Sequence, residues 1–361
     1  MVKSSMSGER SRGPGSRTGP QQAARYEGVR AMSDVVPAEA VDTYLSLALA
    51  GEQGPAISYV LDLLHPATSS MLITDLLAPV QREVGERWHR GELSTADEHL
   101  VTGVSESTIT ALSSAMIRPE LKGLVLVTSA EGDWHCLAAR MFAEQLRDAG
   151  REVLYLGPSV PSEDVAAFIA RRRPEAVTVS CNLASTYVGT ARVVDAAHAH
   201  GVPVLAGGRA LDLQRALHLG SDAWARDATN AVRVLDQWRG RTPIVDHRPV
   251  QLDGGALALD ARAVGIGGSA FEELARQLPS QLEHGRYPPA RIHADLVDTV
   301  RHLAAARLVD DAAVFVEFQT WLRELYLARG LAVQLVEMAA EAVHPYVAEV
   351  DGAAADLLSA A

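Results

Sequence analysis

The stretch 129–138 reads Ser-Ala-Glu-Gly-Asp-Trp-His-Cys-Leu-Ala, and it places Asp133 two residues before His135. In an extended loop that spacing sends both side chains to the same side. A carboxylate beside an imidazole fixes its tautomer, raises its basicity and leaves the other nitrogen free to donate to a metal. The stretch follows an apolar run at 124–128 and leads into residues with helical apolar spacing, Leu137, Met141, Phe142, Gln145 and Leu146. A strand–loop–helix junction at the end of a first parallel strand is where doubly wound sheets bind ligands. A dinucleotide site would need several glycines there to admit phosphates. This loop has one, Gly132, followed by Asp133, Trp134 and His135. It is built to present a histidine; the alternative is a solvated surface pair.

A second cluster lies upstream. Trp88 and His89 fall in the last turn of one predicted helix, and Glu98 and His99 in the first turns of the next. A tight helical hairpin brings the four to one end of a bundle. Each also has a plainer role, Trp88 as a core anchor and Glu98-His99 as a solvated pair favoured by the helix dipole. A third set comprises Ser180 and Leu183, closing one apolar run, and Gly207-Gly208, closing the next. Small residues at that edge leave a slot, or make tight turns.

The elements that position these residues follow from periodicity. Residues 36–120 carry helical patterns joined by short turns, with Ser94 and Asp97 as a capping signature, and predict a four-helix bundle. Over 121–240 apolar runs at 124–127, 153–156, 176–180, 203–206 and, more weakly, 223–225 alternate with helical stretches at 136–149, 162–172, 187–200 and 210–218. That alternation predicts a doubly wound parallel sheet. Residues 241–255 read as a Pro/Gly linker. Residues 256–361 read as a helical domain, with helices at 271–278, 292–303, 312–328 and 331–350. The polar, Ser/Gly/Arg-rich residues 1–35 predict a disordered arm.

The chain of 361 residues has a formal charge of −12, from 33 basic and 45 acidic residues. That balance argues against a general binder of nucleic acid or anionic membrane. Two cysteines, Cys136 and Cys181, imply no disulfide framework and fit a reducing cytoplasm. No apolar run is long enough to span a bilayer.

In this order the chain resembles the cobalamin-binding modules of methyl-transfer enzymes and their light-sensing relatives, over residues 36–240. The family's Asp-x-His-x-x-Gly signature is matched by Asp133, His135 and, with alanine for glycine, Ala138; its Ser-x-Leu element is approximated by Ser180 and Leu183, and its paired glycines by Gly207 and Gly208. The resemblance implies a helical cap on a flavodoxin-like sheet. It also implies cobalt ligated from below by His135, with the cofactor's nucleotide tail along Ser180, Leu183, Gly207 and Gly208. The spacing of Trp88 to Glu98-His99 is similar to the adenosylcobalamin photoreceptors of the carotenoid-repressor type, which implies an adenosyl group under Trp88 and makes His89 the candidate replacement ligand after light. No DNA-binding domain precedes the bundle, so direct DNA binding is not expected. The helical tail resembles that of the photocobilins, which implies biliverdin; without a cysteine beyond Cys181 it would be held non-covalently. Arg301, His302, Phe318, Trp321, Arg323, Tyr326 and Arg329 are the candidates, against a plain dimerisation domain. The expectation is a cytoplasmic, homo-oligomeric light-sensing signalling protein without enzymatic activity, acting on an unidentified downstream protein. Its rivals are a corrinoid protein carrying methyl groups between methyltransferases and a light-independent, cobalamin-gated interaction protein. A mutase would need a substrate barrel of about 250 residues.

Overall fold

Four runs with apolar faces form the front of the chain in the computed structural model, which describes residues 36–65, 67–116, 122–277 and 288–360. The arm expected at 1–35 lies outside the described residues. Helices α1 (Ala40–Leu49) and α2 (Gln53–Asp62) precede a continuous helical run made of α3 (Ser69–Leu72), a π-turn (Ile73–Leu77) and α4 (Ala78–His89). Helix α5 (Thr95–Ala115) opens on a capping box in which Ser94 and Asp97 satisfy each other's backbone N–H. The four pack around Tyr44, Leu72, Leu76, Val80, Ile109 and Leu112. The hydroxyl of Tyr44 is paired with Ser105 and Thr108, so this buried group is not left without a partner.

The sheet follows as β1 (Lys122–Ser129), α6 (Leu137–Asp148), β2 (Arg151–Tyr155), α7 (Ser162–Arg172), β3 (Ala176–Ser180), α8 (Tyr187–His198), β4 (Val204–Gly207), α9 (Leu213–His218), β5 (Ala223–Trp224) and α10 (Ala228–Gly240). All strands are parallel, in the order β2-β1-β3-β4-β5. This is the flavodoxin-like order. The loops after β1 and β3 therefore diverge to opposite faces and leave a crevice between them. Helix α10 lies outside the predicted stretches; Asp227 caps it, and it buries Ala231 and Leu235 against the sheet. Met141 of α6 belongs to the bundle core, and Gln145 Nε2 donates to Thr74 Oγ1 in the π-turn at 2.9 Å. One helix thus carries the cap on one side and the histidine loop at its start.

The C-terminal helices are α11 (Gly254–Gln277), α12 (Pro289–Leu308), α13 (Ala313–Ala328), α14 (Gln334–Ala348) and α15 (Gly352–Ala360). Their core is continuous with the α7/α8 face of the sheet. Two expectations need correction. Helix α11 starts within the predicted linker, at Gly254, far ahead of residue 271. Its glycines cost about 1 kcal/mol each in helix propensity, but Gly267 lets α12 close in: a Cβ there would lie 2.6 Å from Val297 Cγ2 and 3.0 Å from its backbone nitrogen. Helix α15 was not anticipated, because its Ala-rich run has little periodicity; Asp351 caps it and is anchored by Arg307.

Two outcomes are expected from this packing. A Cβ on Gly189 in α8 would sit 1.9 Å from the carbonyl oxygen of Glu131, in the loop after β1. Gly189→Ala is expected to cost about 2 kcal/mol of stability in urea unfolding; an unchanged midpoint would contradict the close approach. His302 is buried and stacked on Phe318 with centroids 3.9 Å apart, and burial pushes its imidazole down to about 4 despite the hydrogen bond to the Asp298 carbonyl. The unfolded chain takes up a proton below pH 6.5 while the folded chain does not. Stability is therefore full above pH 6.5, falls by about 3 kcal/mol as pH drops toward 4, and levels off below. Denaturation monitored between pH 7 and 4 should lose most of that slope in His302→Gln; an identical slope would place the titration elsewhere.

Candidate functional site

Asp133 sits at the bottom of the crevice, fully buried, and its carboxylate accepts four hydrogen bonds. Oδ1 takes the backbone N–H of His135 at 2.9 Å and contacts its Nδ1 at 3.0 Å. Oδ2 takes the backbone N–H of Asn182 at 2.8 Å and its side-chain Nδ2 at 3.2 Å. The same Asn182 amide reaches the His135 carbonyl at 2.9 Å. The loops after β1 and β3 are thus joined through one carboxylate. His135 has Nδ1 against an anion and its side chain 63% exposed, with Nε2 in no hydrogen bond among the described residues. The Asp133 hydrogen bond raises the imidazole above its usual range, against a lesser opposing effect of burial; the Glu98 carboxylate adds to the rise and Arg209 opposes it. The ring is a fixed, basic, outward-facing single donor.

The slot beside it is lined by register. Ser129, Ser180 and Gly207 are mutual partners across β1, β3 and β4 and share one face of the sheet. The Ser129 hydroxyl is buried without a hydrogen-bond partner among the described residues. Gly208 has φ +104°, and a Cβ there would lie 2.3 Å from the Cys181 carbonyl oxygen, so only glycine fits. Leu183 is exposed at the rim, and Ala138 is exposed in the first turn of α6. Trp134 stands 73% exposed beside the histidine, an apolar surface left largely uncovered.

Trp88 donates from Nε1 to Thr95 Oγ1 at 3.2 Å, which locks the α4–α5 turn. Glu98 faces His135 electrostatically and accepts from Thr102, while His99 is exposed and 3.4 Å from Glu98. His89 points elsewhere: its Nε2 lies 3.1 Å from the carbonyl oxygen of Trp321 in α13. Nor do the seven C-terminal candidates converge on one slot. Trp321 and Arg329 face the cap, Phe318 stacks behind Trp321 with His302 behind it in turn, and the Tyr326 hydroxyl bonds Asp295 in the core. Arg323 lines a separate cavity of about 400 Å³ with Glu337 and Glu341. Arg301 lies in the field of Asp260 and Asp298.

Sequence reasoning missed Asn182, Ser129 and Arg209. Asn182 lay between two marked residues, and a serine ending the first strand was the signal for Ser129.

The donor set agrees with a corrinoid. Among the described residues no three His, Cys, Asp or Glu side chains come together to hold a metal, whereas a metal held only by protein takes several. One exposed imidazole suits a metal that brings its own equatorial ligands, and the unpaired Ser129 hydroxyl with the glycine floor suits a polar tail.

Comparison with known proteins agrees. Models of the B12 binding domain match residues 41–113 and 123–235. The HTH-type transcriptional repressor CarH of Myxococcus xanthus is 33% identical over 160 residues, covering 43% of this chain and 53% of that protein. The dimethylamine corrinoid protein of Methanosarcina barkeri is 27% identical over 172 residues, covering 45% and 80%. The chain spans about half the length of the first of these relatives. Among solved structures, the monomethylamine corrinoid protein of M. barkeri is 19% identical with a TM-score of 0.48, over 55% of this chain and 98% of that one. The chain therefore carries two matches to the B12 binding domain, the first over residues 41–113 and the second over 123–235.

Proposed function

We propose that this chain is a light-responsive sensor that takes adenosylcobalamin with its own base displaced and His135 as the lower cobalt ligand. The observation that carries the reading is the His135 ring itself, held at Nδ1 by a buried carboxylate with Nε2 facing outward. Bound adenosylcobalamin would supply a light-labile cobalt–carbon bond and strong visible absorption. Asp133 and Asn182 fix the imidazole's tautomer and angle. Ser129, Ser180, Leu183, Gly207 and Gly208 would receive the nucleotide tail, with Ala138 at its mouth. Trp134 would meet the corrin's lower side. Trp88, Glu98 and His99, at the end of the cap, would enclose the upper face, and His89 would replace the adenosyl group after illumination. The spacing of Trp88 to Glu98 and His99, similar to that of adenosylcobalamin photoreceptors, supports light sensing.

Biliverdin in the C-terminal helices draws little support, since the 400 Å³ cavity sets Glu337 and Glu341 beside Arg323 and carboxylates repel propionates. A methyl carrier is the second reading, favoured by the match to the dimethylamine corrinoid protein over 80% of its length. Among the described residues no helix is long and apolar enough to cross a membrane; the partner that reads the signal is a downstream protein or a second copy of the chain.

His135→Ala is expected to lower cobalamin retention on gel filtration at least tenfold, and Asp133→Asn about tenfold; full retention in both would remove His135 from the site. Green light should change the absorbance of the adenosylcobalamin-loaded chain irreversibly, to a spectrum that His89→Ala alters. A product matching free cofactor would defeat capture by His89, and methylation by a methyltransferase with no light response would select the carrier.

A further inference from the structure

Two cap residues expected at the upper face, Trp88 and His89, are in contact with the C-terminal bundle. The His89 ring stacks on Trp321 at 5.4 Å and 13°, and its Nε2 lies 3.1 Å from the Trp321 carbonyl oxygen. A carbonyl only accepts, so Nε2 must carry the proton and donate. Trp88 stacks on the same indole at 6.3 Å. Arg329, at the end of α13, donates from Nη2 to the Trp88 carbonyl at 2.9 Å and lies over the Trp88 ring at 5.1 Å. Gly91 permits the approach: its φ is +74°, and a Cβ would lie 3.0 Å from the Ala328 carbonyl oxygen. Behind Trp321 the row continues through Phe318 to the buried His302. On the other side of the crevice, α12 packs against the short helix Ala184–Thr186 that follows Leu183.

We propose that Trp321 and Arg329 are positioning residues for the upper face, forming a latch that holds His89 in reserve and is released when His89 becomes a ligand. This rests on the reading above. The hydrogen bond and the ring stacking that hold His89 on Trp321 carry the proposal. While Nε2–H donates to Trp321, that nitrogen's lone pair is in the ring and cannot ligate a metal. Capture through Nε2 needs its proton to pass to solvent and Nδ1 to take one up, and the ring must leave both the carbonyl and the indole. The two interactions broken in that step are among those that fasten α13 to the cap, so a local exchange of ligands loosens the junction between domains.

The test is amide hydrogen exchange on the full chain. Without cofactor, Trp321→Ala should speed exchange at residues 86–92 about tenfold, leave 334–348 unchanged and be restored by Trp321→Phe. Unchanged exchange at 86–92, or an equal rise throughout the bundle, would overturn the latch. With adenosylcobalamin, light should speed exchange at 321–329 in the wild type but not in His89→Ala. If the lit spectrum is that of cobalt between two imidazoles while 321–329 exchanges as in the dark, the latch is wrong and the sensor reading stands. If the lit spectrum is that of free cofactor, the sensor reading falls and the cofactor-free comparison alone decides the latch.

Discussion

One buried carboxylate organises the site. An ion with no exposure to water is tolerable only if its oxygens are fully hydrogen-bonded, and Asp133 meets that condition with donors from two loops. Those loops leave the ends of β1 and β3 in opposite directions, so they share a border only at the switch point of the sheet. The donors that stabilise Asp133 therefore also close the crevice's floor and set the angle of His135. Gly189 contributes by letting α8 come within contact of the loop backbone. The imidazole gains basicity from its anionic neighbour and keeps its second nitrogen outward, which is the arrangement a fifth or sixth metal ligand requires.

Around that point three parts of the molecule come together. The sheet edge supplies His135 and the serine–serine–glycine row, the cap supplies Trp88 and Glu98, and the C-terminal helices reach both. Helix α6 ties the first two, with Met141 in the cap's core and Gln145 bonded to Thr74 in the π-turn. The aromatic row from Trp88 through Trp321 and Phe318 to His302 ties cap to bundle. In the proposed reading, a change above His135 would be felt first at Trp88 and His89, and these are the cap residues that the bundle holds.

Much of this was legible in the residues, and the reasons differ by element. Apolar runs of four or five residues flanked by helical spacing predicted the parallel sheet that the structure shows, and Asp-x-His at the end of the first run marked the candidate site. Ser94 with Asp97 marked a helix start that the capping box confirms. The start of α11 was hidden because its glycines serve a long-range contact with Val297, which local propensity cannot register. Asn182 was hidden because its worth lies in reaching a residue 49 positions away. The C-terminal aromatics were seen as a set, but their division between the cap-facing row and the core depends on how α13 is rotated. Arg323, two residues from Trp321, falls on the opposite side of that helix.

Everything proposed for the site rests on a coordinate bond from His135 Nε2 to a corrinoid cobalt, and electron paramagnetic resonance of the chain loaded with cobalt(II) cobalamin reads that bond itself. Nitrogen bonded on the cobalt axis splits each cobalt line, into triplets for ¹⁴N and doublets for ¹⁵N. With histidine alone labelled with ¹⁵N, ligation by His135 predicts doublets in the wild-type chain and their loss in His135→Ala. Triplets persisting in the labelled protein would mean that the cofactor's own base is still on the metal, and would rule the bond out.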